Sequence, residues 1–229
     1  MKWNRSQRLT IAGAVLGLLA GCTDHNTPTA LPNQPELALD ASASLTSVVT
    51  DPLGDAKLNH HNSTGPGSDQ KIPDYLDVVR AEVSRQGNTF VFIEDVGDVV
   101  PSNPTTVSGS LGIQAWILGL DTDPTTAPPH NNGNAFPFEF FVDVEWDGTQ
   151  FAGKLYDRRP LLTGGEAVVT PASFTIDGAE IRLFVAASSV DSPSTFAWLA
   201  GTLSRHSDGI NGYQTLDVAP NTGLATWPQ

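Results

Sequence analysis

A period of two in the apolar residues constrains this chain more than any other feature of its sequence. Between residues 138 and 146 apolar side chains occupy every second position, and Asp147-Gly148 follows directly. Alternation of this kind predicts a β-strand with one buried face, so Trp146 is expected in the core. An Asp-Gly pair favours the tight turn of a β-hairpin, and residues 151–156 are the predicted partner strand.

The same pattern recurs along the chain and predicts the fold class. Two further hairpins are expected to turn at Gly87-Asn88 and at Asp177-Gly178, and two more strands stand alone. No long segment has the period of an amphipathic helix, and Gly (21) and Pro (17) are plentiful. The sequence therefore predicts an all-β fold, a single antiparallel β-sandwich of the jelly-roll type. The remaining predicted strands are 78–84, 89–96, 111–120, 174–177, 180–185 and 196–203.

The amino terminus predicts export and a lipid anchor. Three basic residues precede an apolar run at 9–20, which is shorter than the roughly 20 residues that cross a bilayer and fits a signal-peptide core. Leu19-Ala20-Gly21-Cys22 then resembles the lipobox of bacterial lipoproteins. Cys22, the sole cysteine, is the predicted lipidated residue. The alternative is an ordinary secretory signal with a chance cysteine.

These features divide the chain into three parts and suggest its location. Residues 1–21 are the predicted signal peptide, 22–44 a lipidated flexible tether and 45–229 the β-sandwich domain. Thr23 stands where Asp would resemble an inner-membrane retention signal, so the predicted location is the cell envelope, and the outer membrane if the organism has one. The net charge of −13 argues against nucleic acid as a partner.

Acidic residues collect in the predicted turns. They occur at 51–55, at 74 and 77, at 121–123 and at 217. Calcium prefers several hard oxygen ligands, which bent acidic loops provide, although none of these segments matches an EF-hand. The alternative is that each aspartate only shapes its turn through side-chain hydrogen bonds.

The sequence gives no support to a catalytic site. Of the five histidines only His60 and His61 are close in sequence, and adjacent side chains point apart in an extended chain, so no zinc site is predicted. There is no Gly-x-Ser-x-Gly motif, and no pair of carboxylates stands out as a glycosidase pair. A non-catalytic protein is therefore expected.

Two tryptophans are candidates for ligand binding. Trp116 and Trp198 lie within predicted strands where the alternation is weaker than around Trp146. An exposed aromatic face can stack on a sugar ring, whereas an inward-facing tryptophan belongs to the core. We therefore consider both residues as a glycan-binding platform, with burial in the core as the alternative.

The order of four short motifs resembles a known superfamily. The segments 51–55, 75–78, 120–123 and 217–223 read Asp-Pro-Leu-Gly-Asp, Tyr-Leu-Asp-Val, Leu-Asp-Thr-Asp and Asp-Val-Ala-Pro-Asn-Thr-Gly. This order resembles the DOMON-like superfamily and its family nine carbohydrate-binding modules. The resemblance implies a jelly-roll-like sandwich whose first and last segments lie close together, with structural calcium near the acidic turns. The calcium ligands implied in this way are Asp51, Asp55, Asp77 and Asp217.

The resemblance also has two departures. Asn221 stands where the final motif often has aspartate, which weakens a charge-based site at that point. Relatives that bind haem use Met and His as axial ligands, but Met1 is the only methionine, so no haem is expected. The sequence thus predicts a non-catalytic, lipid-anchored protein that binds a glycan or another envelope component. The alternative is a structural or protein-interaction module of the envelope without a small ligand.

Overall fold

The computed structural model describes residues 45–56, 72–104, 110–125, 130–131, 134–135, 138–206 and 213–229. The predicted signal peptide and tether, with Cys22, lie outside them. The described residues form three 3-10 segments of five residues or fewer, η1 (Asp74–Leu76), η2 (Arg159–Thr163) and η3 (Ala187–Val190). They also form fourteen strands: β1 (Thr46–Thr50), β2 (Val78–Gln86), β3 (Thr89–Val96), β4 (Ser110–Asp121), β5 (His130–Asn131), β6 (Asn134–Ala135), β7 (Phe140–Trp146), β8 (Phe151–Asp157), β9 (Val168–Pro171), β10 (Ser173–Asp177), β11 (Glu180–Ala186), β12 (Phe196–His206), β13 (Tyr213–Ala219) and β14 (Ala225–Trp227).

Two antiparallel sheets pack face to face, which confirms the predicted all-β sandwich. The first sheet has the order β1-β2-β3-β11-β10. The second has the order β13-β12-β4-β7-β8-β9, and β14 pairs with β12. Within the part of the chain that the structure describes, no helix has the length and apolar character needed to cross a membrane.

The predicted hairpins are present with the expected partners. β7 pairs with β8, β2 with β3, and β10 with β11, each antiparallel. Gly148 has φ of 96°, a left-handed conformation that glycine adopts without strain. The Asp147 carboxylate accepts a hydrogen bond from the N–H of Thr149 at 2.7 Å and closes the same turn. Local turn chemistry therefore sets the register of this hairpin.

The core lies between the inward faces of the two sheets and is rich in aromatic rings. Trp146 is only 5% exposed, as predicted. The rings of Phe90 and Trp227 meet edge to face with centroids 4.9 Å apart. Trp227 also joins the two ends of the domain, because its Nε1 donates to the carbonyl oxygen of Leu45 at 3.2 Å. The first and last described segments thus lie together, as the resemblance implies.

Candidate functional site

Four aspartates from three separate segments meet at one end of the sandwich. Asp51 and Asp55 lie in the turn after β1, Asp77 lies between η1 and β2, and Asp217 lies in β13. We call these four residues the aspartate cluster. The N–H of Asp51 donates to the Val79 carbonyl at 3.0 Å, which holds the first turn beside the start of β2.

Three carboxylates of the aspartate cluster are close enough to share one cation. One oxygen each of Asp51, Asp55 and Asp217 lie within 4.8 Å of one another. Asp77 is adjacent, since its Oδ2 accepts a hydrogen bond from the N–H of Gly54 at 2.7 Å, in the middle of the first turn. Three of the four residues that the resemblance nominates therefore converge, and Asp77 lies beside the turn that carries Asp51 and Asp55.

The two innermost aspartates are held by the backbone. Asp217 is 6% exposed and Asp77 is 2% exposed, while Asp51 and Asp55 are half-buried. Asp217 Oδ2 accepts from the N–H of Val78 at 2.7 Å, and its Oδ1 accepts from its neighbour Val218 at 2.8 Å. The Asp217 carboxylate thereby ties β13 to the first residue of β2.

The electrostatics of the aspartate cluster disfavour four charged carboxylates without a cation. Burial, followed by the charges of Asp55 and Asp77, raises the pKa of Asp51 to about 6. Burial is also the main cause that raises the pKa of Asp217 to about 7, with Asp51 and Asp77 adding to the shift. Burial raises the pKa of Asp77 as well. A bound divalent cation would relieve this repulsion.

Three oxygens of the aspartate cluster are buried without a hydrogen-bond partner among the described residues. They are Asp51 Oδ2, Asp55 Oδ1 and Asp77 Oδ1. A buried polar atom without a partner costs about 1–3 kcal/mol, and more when it carries charge. Carboxylate oxygens that lack donors in this way are available as metal ligands.

Asn221 supports the aspartate cluster through a hydrogen bond rather than through a charge. Its Nδ2 donates a hydrogen bond to Asp55 Oδ2 at 2.8 Å. An aspartate at this position would add a further negative charge, whereas the amide donates to the charge already present. The departure from the motif thus orients Asp55.

The expectation that Trp116 and Trp198 form an exposed sugar platform is wrong. Both side chains are 0% exposed. Trp116 Nε1 donates to the Tyr75 carbonyl at 3.0 Å, and Trp198 Nε1 donates to Ser47 Oγ at 3.0 Å. Both rings face the opposite sheet and their only polar atoms are paired inside the protein, so neither can stack on a sugar.

Sequence reasoning missed a buried acid near the aspartate cluster. Glu94 is 1% exposed, and neither carboxyl oxygen has a hydrogen-bond partner in the part of the chain described. Burial, followed by the charges of Asp217 and Asp143, raises its pKa well above the ordinary value. The sequence did indicate this burial, because Glu94 lies on the same face of β3 as the core residues Phe92 and Val96.

Comparison of the chain with protein-family models and with curated proteins finds no match. The geometry therefore defines an all-β sandwich in which oxygens of Asp51, Asp55 and Asp217 converge, with Asp77 beside them. Membership of the DOMON-like superfamily stays a prediction from the turn motifs.

Proposed function

We propose that the aspartate cluster binds one calcium ion that fastens the first, second and last segments of the domain together. The observation that carries this proposal is the convergence of Asp51, Asp55 and Asp217 oxygens within 4.8 Å. The buried, unpartnered oxygens of Asp51, Asp55 and Asp77 support it, because a cation would give each of them a partner. The ion would then have a structural role, because it would join these three segments.

The ligand chemistry favours calcium over other common metals. The aspartate cluster offers carboxylate oxygens only, which suit hard cations, whereas zinc and copper prefer nitrogen or sulfur. Calcium accepts six to eight oxygens in irregular geometry, while magnesium demands a near-ideal octahedron. Four aspartates on a turn, a strand entry and a strand interior form an irregular set, which fits calcium better.

Calorimetric titration of the purified protein with calcium tests the proposal. We expect one ion to bind per chain, and Asp51→Asn to weaken binding at least tenfold because a ligand and a charge are lost. Asp147→Asn is the matched control, since Asp147 is exposed and its carboxylate only closes a turn. The proposal fails if millimolar calcium gives no binding heat, or if Asp51→Asn and Asp147→Asn bind calcium equally.

We also propose that the protein is a lipoprotein anchored through Cys22. Support comes from the lipobox-like Leu19-Ala20-Gly21-Cys22 and from the lack of any other cysteine in the sequence. Cys22→Ser is expected to abolish incorporation of labelled fatty acid and to release the protein from washed membranes. Equal labelling of the variant and the wild type would contradict the anchor.

The proposed role of the anchored domain is non-catalytic binding of a glycan or another envelope component. The anchor and the superfamily resemblance support this role. A structural or protein-interaction module without a small ligand is the second candidate. Specific binding to a polysaccharide array would favour the glycan, and capture of one defined envelope protein without glycan binding would favour the second candidate.

A further inference from the structure

A lysine and two carboxylates meet on the outward face of the second sheet. Asp143 and Glu145 alternate in β7 with core residues, so both side chains point away from the first sheet. Lys154 in β8 pairs directly with Asp143, and Glu145 pairs with Ala152. Residues directly opposite in an antiparallel pair have Cβ atoms about 4.5–5.5 Å apart, so Lys154 lies beside Asp143. The three side chains therefore form one compact group on the β7–β8 hairpin.

This group is shielded from water although it lies on an outward face. Asp143 is 5% exposed and Glu145 is 8% exposed. Ile117, which pairs with Asp143 from β4, is 9% exposed, and the side chain of Lys154 is 28% exposed. Burial of a charged group is costly unless the charge is paired or neutralised. The surroundings therefore favour uncharged forms of these side chains.

Glu145 balances the charge of Lys154, which leaves Asp143 as an additional buried acid. Lys154 Nζ donates a hydrogen bond to Glu145 Oε1 at 2.6 Å. Asp143 Oδ1 is buried and has no hydrogen-bond partner among the residues described. Burial, followed by the charge of Glu145, raises the pKa of Asp143 to about 8, although Lys154 opposes the shift. At neutral pH Asp143 is therefore mostly a carboxylic acid, beside an amine whose proton can pass to Glu145.

We propose that Lys154 and Asp143 form an isopeptide bond that cross-links β7 and β8, with Glu145 as the proton carrier. Glu145 takes one proton from the Lys154 ammonium, and the Nζ lone pair then attacks Cγ of the Asp143 carboxylic acid. As the C–N bond forms, a second Nζ proton passes to the former carbonyl oxygen. Glu145 then protonates one hydroxyl, which leaves as water when its C–O bond breaks, and Glu145 takes up the proton of the other hydroxyl. One amine and one acid thus give one amide and one water.

The position of the group favours this reaction. The amine and the acid are held opposite each other on one hairpin, which gives them a high effective concentration. The product amide carries no charge, so its burial costs less than that of an unpaired carboxylate. The bond goes beyond the proposed function and does not depend on calcium, because none of its three residues belongs to the aspartate cluster.

Intact-mass spectrometry of the purified protein tests the proposal. After correction for the substituted residue, the wild type is expected to be one water molecule lighter than Lys154→Arg and Glu145→Gln, which lack the nucleophile and the proton carrier. Glu180→Gln is the matched control, since Glu180 pairs with Arg182 on the first sheet, and it should show the same loss of water as the wild type. All proteins are prepared in the same way, so any processing at the amino terminus cancels.

Fragmentation of the digested wild type locates the bond and does not depend on the folding of any variant. We expect a branched peptide that joins Lys154 to Asp143. Linear peptides alone, or a branch from Lys154 to Glu145, would overturn the proposal. A corrected wild-type mass equal to that of Lys154→Arg would also overturn it, and so would full loss of water in Glu145→Gln.

Discussion

Trp198→Ala is expected to lower the free energy of unfolding by about 3–5 kcal/mol. The indole is fully buried between the sheets, so its removal leaves a cavity that the surrounding strands fill only in part. The variant also leaves the hydroxyl of Ser47 without its donor at 3.0 Å. Urea unfolding followed by circular dichroism measures the loss.

Val168→Ala is the matched control for this substitution. Val168 lies in β9 at the edge of the second sheet and is 52% exposed, so the expected change is about 0.5 kcal/mol or less. If Trp198→Ala were as stable as this control, the indole would not be in the core, and an exposed platform for sugars would again be tenable.

Calcium is expected to raise the melting temperature of the protein by about 5–10 °C. A ligand at a hundred times its dissociation constant adds about 2.7 kcal/mol to the folded state. For a domain of 150–250 residues each kcal/mol corresponds to about 2–4 °C. Thermal melts in EDTA and in saturating calcium measure the shift, and superimposed melts would contradict the calcium site.

The calcium effect is expected to depend on pH. The folded-state pKa values of Asp51 and Asp217, about 6 and about 7, lie above the ordinary value of 3.8, so the folded protein binds protons more tightly than the unfolded chain. The contribution of these two groups to stability in EDTA therefore falls as pH rises from about 4 to 7. Calcium replaces these protons, so its stabilising shift should be large above pH 7 and small near pH 5. A shift of the same size at both pH values would contradict this coupling.

Much of the strand structure followed from local sequence. The predicted strands 138–146 and 151–156 correspond to Phe140–Trp146 and Phe151–Asp157, because alternation and the Asp-Gly turn act over a few residues. The order of strands within each sheet was not predictable in this way. β12 lies between β13 and β4 in the second sheet. The pairing of β12 with β4 joins segments about 80 residues apart in the sequence, and no local pattern encodes such a contact.

The tryptophan expectation failed for a physical reason that β4 illustrates. Trp116 is 0% exposed, and its neighbours Ala115 and Ile117, on the other face of the strand, are 2% and 9% exposed. A strand buried on both faces is apolar throughout and shows weak alternation. Weak alternation around a tryptophan therefore indicated double burial rather than exposure.

The candidate functional residues differ in how well they could be predicted from the sequence. The order of the turn motifs nominated all four members of the aspartate cluster, because each lies in a short motif with a recognisable turn. The burial of Glu94 could have been predicted from the alternation of residues along β3 alone.

Asp51→Asn tests the central claim most directly when its melting temperature is compared with the wild type in both EDTA and calcium. Asp51 Oδ2 has no hydrogen-bond partner in the described part of the chain, and its charge opposes those of Asp55 and Asp77. In EDTA the variant should melt at or above the wild-type temperature, because repulsion is relieved. In calcium it should melt below the wild type, because a ligand is lost. A variant that melts lower than the wild type by the same amount in both buffers would mean that Asp51 shapes the turn and binds no cation.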